Sequence, residues 1–201
     1  MKNKENNFIS AVIYVHNNEQ AIKPFIEMLD SVLKLKFKKY EIICVEDGSD
    51  DNSAKLIREA AEEVKNGTVV LISTGFYQGL ESSMIAGVDF ASGDFVFEFD
   101  SILVDYESKL IIDVYNRCIS GYDIVGASSS LKQRKTSRIF YKLFNKYSKT
   151  PYRLRTESFR ILSRRAINRI NQMSLTIPYR KAVYANCGFP YDSISYDVRH
   201  T

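Results

Sequence analysis

Short apolar runs alternate with stretches in which apolar residues recur every three or four positions, and this alternation organises the first 127 residues. Phe8 to Val15 reads as a strand, and Ile22, Ile26, Leu29, Val32 and Leu33 mark one face of a helix behind it. Tyr40 to Val45 is a second, continuously apolar strand. An acidic turn follows, with Asp50, Asp51, Asn52 and Ser53 as capping candidates, and then a helix to about Lys65. Asn66-Gly67 turns the chain into a third strand, Thr68 to Ile72. A loop with Gly75 and Gly79, a helix to about Phe90 and a break at Gly93 lead to a fourth strand, Phe95 to Phe99, which ends on Asp100. A helix from about Glu107 to Ser120 precedes a fifth strand, Asp123 to Ala127. Strands alternating with helices on short connections pair in parallel through right-handed crossovers. The expected fold class is therefore α/β, a Rossmann-like open, mostly parallel sheet with helices on both faces.

Beyond Ser128 the pattern becomes basic and aromatic-rich, with one helix expected near Ile139 to Lys149 and another near Ser163 to Met173. Tyr179 to Thr201 reads as irregular. A chain of 201 residues buries one core, roughly 70 % of its unfolded surface, and is too short for two ordinary domains. We therefore expect residues 1–201 to form a single domain, with 128–201 an elaboration on 1–127.

Composition, at 45 % hydrophobic and 26 % charged, excludes a disordered or fibrous chain. Cys44, Cys118 and Cys187 are odd in number, widely spaced and without a C-x-x-C pair, which disfavours a disulfide framework or a structural zinc site and suits a reducing cytosol. The polar start MKNKENN and the lack of an apolar run of about 18 residues give no signal core and no membrane span in the chain as it stands. Charge changes the picture more. Residues 131–170 hold 13 Lys/Arg against the single acid Glu157, leaving 15 basic and 23 acidic residues elsewhere. A strongly basic segment on an acidic body suggests a site for phosphates, anionic lipid or nucleic acid. In Lys132 to Lys149, however, Phe140, Tyr141, Phe144 and Tyr147 recur at helical spacing and read as a buried helix face, so nucleic acid is not the expected partner.

Open parallel sheets bind ligands outside the carboxyl ends of their strands. Three carboxylates stand there: Glu46 and Asp47 in VEDGSDD after the second strand, and Asp100 in FEFDS after the fourth. A fixed carboxylate accepts the N–H donors of a nucleotide base, and a pyrophosphate calls for a divalent cation held by oxygen ligands such as Asp.

These motifs resemble the inverting nucleotide-sugar glycosyltransferases of family 2, which have the GT-A fold, especially the branch that charges polyprenyl phosphate. The resemblance spans nearly the whole chain. AVIYVHNNEQ resembles the first-strand signature, with Tyr14 for a usual proline and His16 for a usual tyrosine, and IICVEDGSDDNS resembles the next, in which Glu46 and Asp47 are implied to meet base and ribose. In GLESSMIAGVDFASGD, Gly79, Gly87, Gly93 and Asp94 fall where the family has them. The resemblance thus implies that Tyr14, His16, Glu19, Glu46, Asp47 and Gly79 bind the nucleotide sugar, with 1–127 as the donor half and 128–201 on the acceptor side. It implies Mg2+ or Mn2+ on Asp-x-Asp, but this chain reads Asp100-Ser101-Ile102. Three readings stay open: Asp100 holds the metal with substrate oxygens and waters, Glu98-Phe99-Asp100 is a shifted pair, or metal-dependent transfer is lost.

Asp105 matches an acid of the family's continuation and is a second catalytic candidate; a helix cap before Glu107 is the alternative. SSSLKQRKTSRIFYKLFNKYS and ESFRILSRRAI resemble the family's basic stretch and its Phe-Arg segment, which implicates Arg134, Arg138 and Arg160 in holding phosphates. The missing acid pair after the metal motif suits an acceptor that is already anionic, so polyprenyl phosphate is the expected acceptor and a saccharide hydroxyl the alternative. Family members of this type continue into membrane helices, so this chain is expected to be the catalytic portion of a longer protein at the cytoplasmic face of the membrane; a homo-oligomer is compatible with this. A nucleotide-sugar binder without activity is the rival expectation, motivated by Ile102.

Overall fold

The computed structural model describes residues 3–130, 156–173 and 179–198. Seven strands make one sheet: β1 (Ile9–Val15), β2 (Tyr40–Glu46), β3 (Thr68–Ser73), β4 (Phe95–Phe99), β5 (Ile124–Ser129), β6 (Phe159–Ser163) and β7 (Tyr191–Tyr196). Their order is β3-β2-β1-β4-β6-β5-β7. Helices α1 (Ile22–Lys36), α2 (Ser53–Glu63), α3 (Leu80–Phe90), α4 (Lys109–Ile119), α5 (Arg164–Gln172) and α6 (Arg180–Asn186) complete it.

Successive residues of a strand face opposite sides, and here each side has its own core. Ile9, Ala11, Ile13, Ile42, Cys44, Phe97 and Phe99 pack with α1, α2 and α4, whereas Val12, Ile43, Val45, Val96 and Leu162 pack with α3, α5 and α6. Burial on both faces explains why β1 and β2 read as continuous apolar runs. The chain steps outward from β1 to β2 and β3, then returns to place β4 on the other side of β1, with Ile9 opposite both Tyr40 and Phe95 in parallel register. The switch in strand order therefore lies between β1 and β4, and the crevice above their carboxyl ends is where such sheets bind ligands.

The sheet departs from the expected pattern in its second half. β6 runs antiparallel to β4 and to β5, with Glu98 opposite Arg160, and β7 pairs parallel with β5. The segment expected to be irregular, Tyr179 to Thr201, contains α6 and β7. Both are short, and β7 reads Tyr-Asp-Ser-Ile-Ser-Tyr, with no apolar alternation, in a mostly half-buried strand whose partner lies 67 positions back at Ile124↔Tyr191, so its register comes from the sheet and not from local sequence. The helix expected near Ile139 to Lys149 lies outside the described residues.

Candidate active site

At the carboxyl ends of β1 and β2 the two acids are held by neutral donors. Asp47 is fully buried, and its Oδ1 accepts from the backbone N–H of Gln78 (2.7 Å) and the Thr74 hydroxyl (3.2 Å). Its Oδ2 accepts from the Gly79 N–H (2.8 Å) and the Tyr14 hydroxyl (3.0 Å). Burial pushes the Asp47 carboxyl up, but the two backbone donors and Tyr14 outweigh it and leave it below the usual carboxylate range. Glu46 accepts from the Ser49 N–H and the Ser73 hydroxyl, each at 2.5 Å. Between them the acids pin the loop from Thr74 to Gly79 against the Gly48 turn. Gly48 has φ of +60°, and a Cβ there would lie 2.6 Å from the Tyr77 nitrogen, so the close approach requires glycine.

The loop after β1 is stitched to the loop after β2. His16 Nδ1 lies 2.7 Å from the Asp47 carbonyl, the Asn17 side chain accepts from Asp50 N–H (2.9 Å), and Glu19 accepts from the backbone and side chain of Asn52 (3.0 and 2.9 Å). Asp51 accepts from the N–H groups of Glu19 and Ser53, both at 2.9 Å, which ties it to the start of α2. Tyr14, His16, Glu19, Glu46, Asp47 and Gly79 thus come together in one rim. Above it, the rings of His16 and Tyr77 lie 4.7 Å apart, and Phe76 and Tyr77 are 71 % and 59 % exposed. Phe76 and Tyr77 were not among the expected site residues; two adjacent aromatics in a glycine-flanked loop are the signal that was available.

The carboxyl end of β4 is built from opposite charges. Asp100 Oδ2 accepts from Arg160 Nη2 and Oδ1 from Arg180 Nη2, both at 2.7 Å. Both arginines are almost wholly buried, at 1 % and 2 % exposure. Arg160 also donates Nη1 to Glu98 and Nε to Glu157 (2.7 Å), so its whole fork is spent on carboxylates. Arg180 donates Nε to Glu81 (2.9 Å), and its Nη1 lies 2.8 Å from Glu98 without hydrogen-bond alignment. The hydroxyls of Tyr184 and Tyr191 donate to Glu98 and Glu157. Burial pushes the Asp100 carboxyl up, yet the guanidiniums of Arg160 and Arg180 hold it well below the usual range. Arg180, Glu157 and Tyr184 were missed. Their trace was Glu98, an acid inside the apolar run FVFEF, which a buried position tolerates only with a cation beside it.

Asp105 stands apart, accepting from the Tyr196 hydroxyl at 2.6 Å; burial and that carboxylate push Tyr196 up to about 12. It does not cap α4, whose N-cap is Ser108. Asp94 accepts from Phe8 N–H (2.8 Å) and joins two elements of the sheet. Arg134 and Arg138 lie outside the described residues. A groove of about 650 Å³ opens on the same rim between Pro24, Phe25 and Met28 of α1 and Ile102 to Val104.

The expected divalent cation can be tested against these residues. Oxygen ligands must present lone pairs toward the crevice. Both Asp100 oxygens accept from guanidinium N–H groups, Glu98 is fully buried and paired, and Ile102 belongs to the apolar core shared with α1 and α4. No group of three His, Cys, Asp or Glu among the described residues could hold a metal. The residues do not fit a metal centred on Asp100.

Residues 10–171 match the sequence family described as Glycosyl transferase family 2. The bactoprenol glucosyl transferase of Shigella phage SfV is 31 % identical over 194 residues, covering 94 % of this chain and 62 % of that one. This chain spans about three fifths of the length of such curated relatives. Among solved structures, the mannosyltransferase PcManGT of Pyrobaculum calidifontis, in complex with GDP-Man and Mn2+, superposes with a TM-score of 0.70 at 12 % identity, over 96 % of this chain and 56 % of that one. The glucosyl-3-phosphoglycerate synthase of Mycobacterium tuberculosis, with Mn2+, UDP and phosphoglyceric acid, gives 0.68 at 14 % identity over 96 % and 70 %. The shared fold is the GT-A fold of these glycosyltransferases.

Proposed function

The chain belongs to glycosyl transferase family 2, and from that premise we propose that it moves a sugar from a nucleotide diphosphate sugar to polyprenyl phosphate, with inversion. The observation that carries this reading is the rim at the carboxyl ends of β1 and β2, next to the β1/β4 switch, where Asp47 clasps the Thr74 to Gly79 loop beside Tyr14 and His16. The exposed ring of Tyr77, tilted against His16, offers a face for a base, and Glu19, Glu46 and Asp47 set the loops around it. A UDP-sugar is the favoured donor and a GDP-sugar the alternative; one solved neighbour carries UDP and another GDP-Man, each with Mn2+, which supports a divalent cation, Mg2+ or Mn2+, that accompanies the diphosphate and is not held by Asp100.

In the reaction, an oxygen of the acceptor phosphate bonds to the anomeric carbon as the bond to the diphosphate oxygen breaks. An acceptor that is already anionic needs positioning more than a strong base. Asp100 and Asp105 border the place of transfer, Arg160 holds Asp100, and Arg134 and Arg138 are assigned to phosphates. The apolar groove beside Ile102 suits the first prenyl units of the acceptor, and the phage relative, named as acting on bactoprenol, supports a lipid acceptor. Residues 1–127 form the donor half and 128–201 the acceptor side of one catalytic domain, working at the cytoplasmic face of a membrane. No helix among the described residues is long and apolar enough to cross one.

The test supplies labelled UDP-glucose or GDP-mannose with undecaprenyl phosphate in detergent micelles. Label passing into the organic phase is expected with one donor class. A second reading, a nucleotide-sugar binder without transfer, is favoured by the buried Ile102 and the arginine-bound Asp100. It takes over if calorimetry shows UDP or GDP binding while no donor is ever transferred or hydrolysed. If no nucleotide binds, both readings fall.

A further inference from the structure

Resting on the nucleotide-sugar reading, we propose that Asp100 is the fixed counter-charge of Arg160 and Arg180 and not a metal ligand, and that this chain takes up its nucleotide without a protein-held divalent cation. Each oxygen of Asp100 is occupied by a different guanidinium at 2.7 Å, and only 15 % of the side chain is exposed. A cation seated on either oxygen would stand beside two fixed positive charges that cannot swing away. Arg160 is tied to Glu98 and Glu157 as well, and Arg180 to Glu81 and Glu98. Released from Asp100, both guanidiniums would remain where they are, because their other partners sit on β4, α3 and the residue two before β6.

The neighbouring position reinforces this. Where a second acid would face the crevice, Ile102 is 8 % exposed and turned into the core with Phe25 and Leu110. The other acid on the strand, Glu98, is fully buried and bound by both arginines and by Tyr184. A shifted Glu98/Asp100 pair would therefore offer a cation one enclosed oxygen pair and one already taken. Each acid at this strand end accepts from resident groups of the protein, with Arg160, Arg180 and Lys181 shared among Glu81, Glu98, Asp100 and Glu157, and the diphosphate is left to other groups.

The experiment uses the wild-type chain and two probes. Electron paramagnetic resonance of Mn2+ alone reports metal binding, and calorimetry of UDP and GDP in EDTA and in Mn2+ reports its effect on the nucleotide. We expect Mn2+ binding weaker than about 1 mM and nucleotide affinity equal within about two-fold in the two buffers. Tighter Mn2+ binding, or a tightening of nucleotide by Mn2+ of about ten-fold or more, overturns the proposal. If neither nucleotide binds in either buffer, the transferase reading fails, while the Mn2+ titration still decides the role of Asp100. Asp100→Asn then asks whether any Mn2+ signal that does appear belongs to this carboxylate.

Discussion

The ends of β2 and β4 look alike in sequence, an apolar strand running into acid, but they are held in opposite ways. Asp47 is saturated by two backbone N–H groups and two hydroxyls, so it keeps its negative charge while shaping a loop. Asp100 accepts from two buried guanidiniums, so its charge is paired inside the protein. A neutral clasp leaves an anionic rim that a ligand can sense; an ionic clasp makes a rigid joint between β4, β6 and α6. What a carboxylate can do is set by its donors, and those come from distant segments.

The sharpest way to break the comparison is to remove a cation from the β4 end. Arg160→Met leaves Glu157 without its guanidinium and Glu98 and Asp100 with Arg180 alone, and losing one partner of a buried pair costs about 3–5 kcal/mol. Urea unfolding should show that loss. Arg160→Lys should recover little of it, because one ammonium cannot replace a fork that reaches three carboxylates. If Lys restores full stability, the joint is not the rigid one described here.

Acid should separate the two ends next. Asp100 has its folded pKa depressed below the unfolded value, so its contribution is present above that unfolded value, about 4, and is lost as pH falls toward the folded one. Thermal unfolding from neutral pH to about pH 3 should fall steeply for wild type and less steeply for Asp100→Asn, which has already lost the contribution. Asp47 and Asp51 are depressed too and keep part of the slope in the variant. Parallel slopes for the two proteins would remove Asp100 from the acid response. At the β2 end, Asp47→Ala orphans the N–H groups of Gln78 and Gly79, for about 1–3 kcal/mol, and should speed hydrogen exchange at those amides while leaving the β4 end untouched.

The contrast also explains what could be read from the residues. β1 to β5 and the helices between them were legible because buried parallel strands are apolar runs and their helices repeat at 3.6 residues. β6 was hidden ahead of the helix expected from Ser163, which turns out to cap α5 by accepting from Ala166 N–H at 3.3 Å. α6 and β7 were hidden because seven and six residues carry too little periodicity to show. The β2 rim was legible since Glu46, Asp47 and Gly79 act through near neighbours and backbone. Asp100 was placed correctly at a strand end, but its partners lie 60 and 80 residues away, across an antiparallel pairing that local sequence does not announce.

The smallest effect on stability should come from Tyr77, and it bears most directly on what the anionic rim is for. Its ring is 59 % exposed and packs against His16, so Tyr77→Ala should change unfolding free energy by no more than about 0.5 kcal/mol. If a base stacks there, the same change removes about 1–3 kcal/mol of binding, and UDP or GDP affinity measured by calorimetry should drop by roughly 5- to 150-fold. Tyr77→Phe should retain the affinity, because the stacking face survives without the hydroxyl. Equal loss in both variants would point to the hydroxyl instead. Unchanged affinity in both would move the base away from the clasped loop, leaving Asp47 the keeper of a loop that touches no ligand.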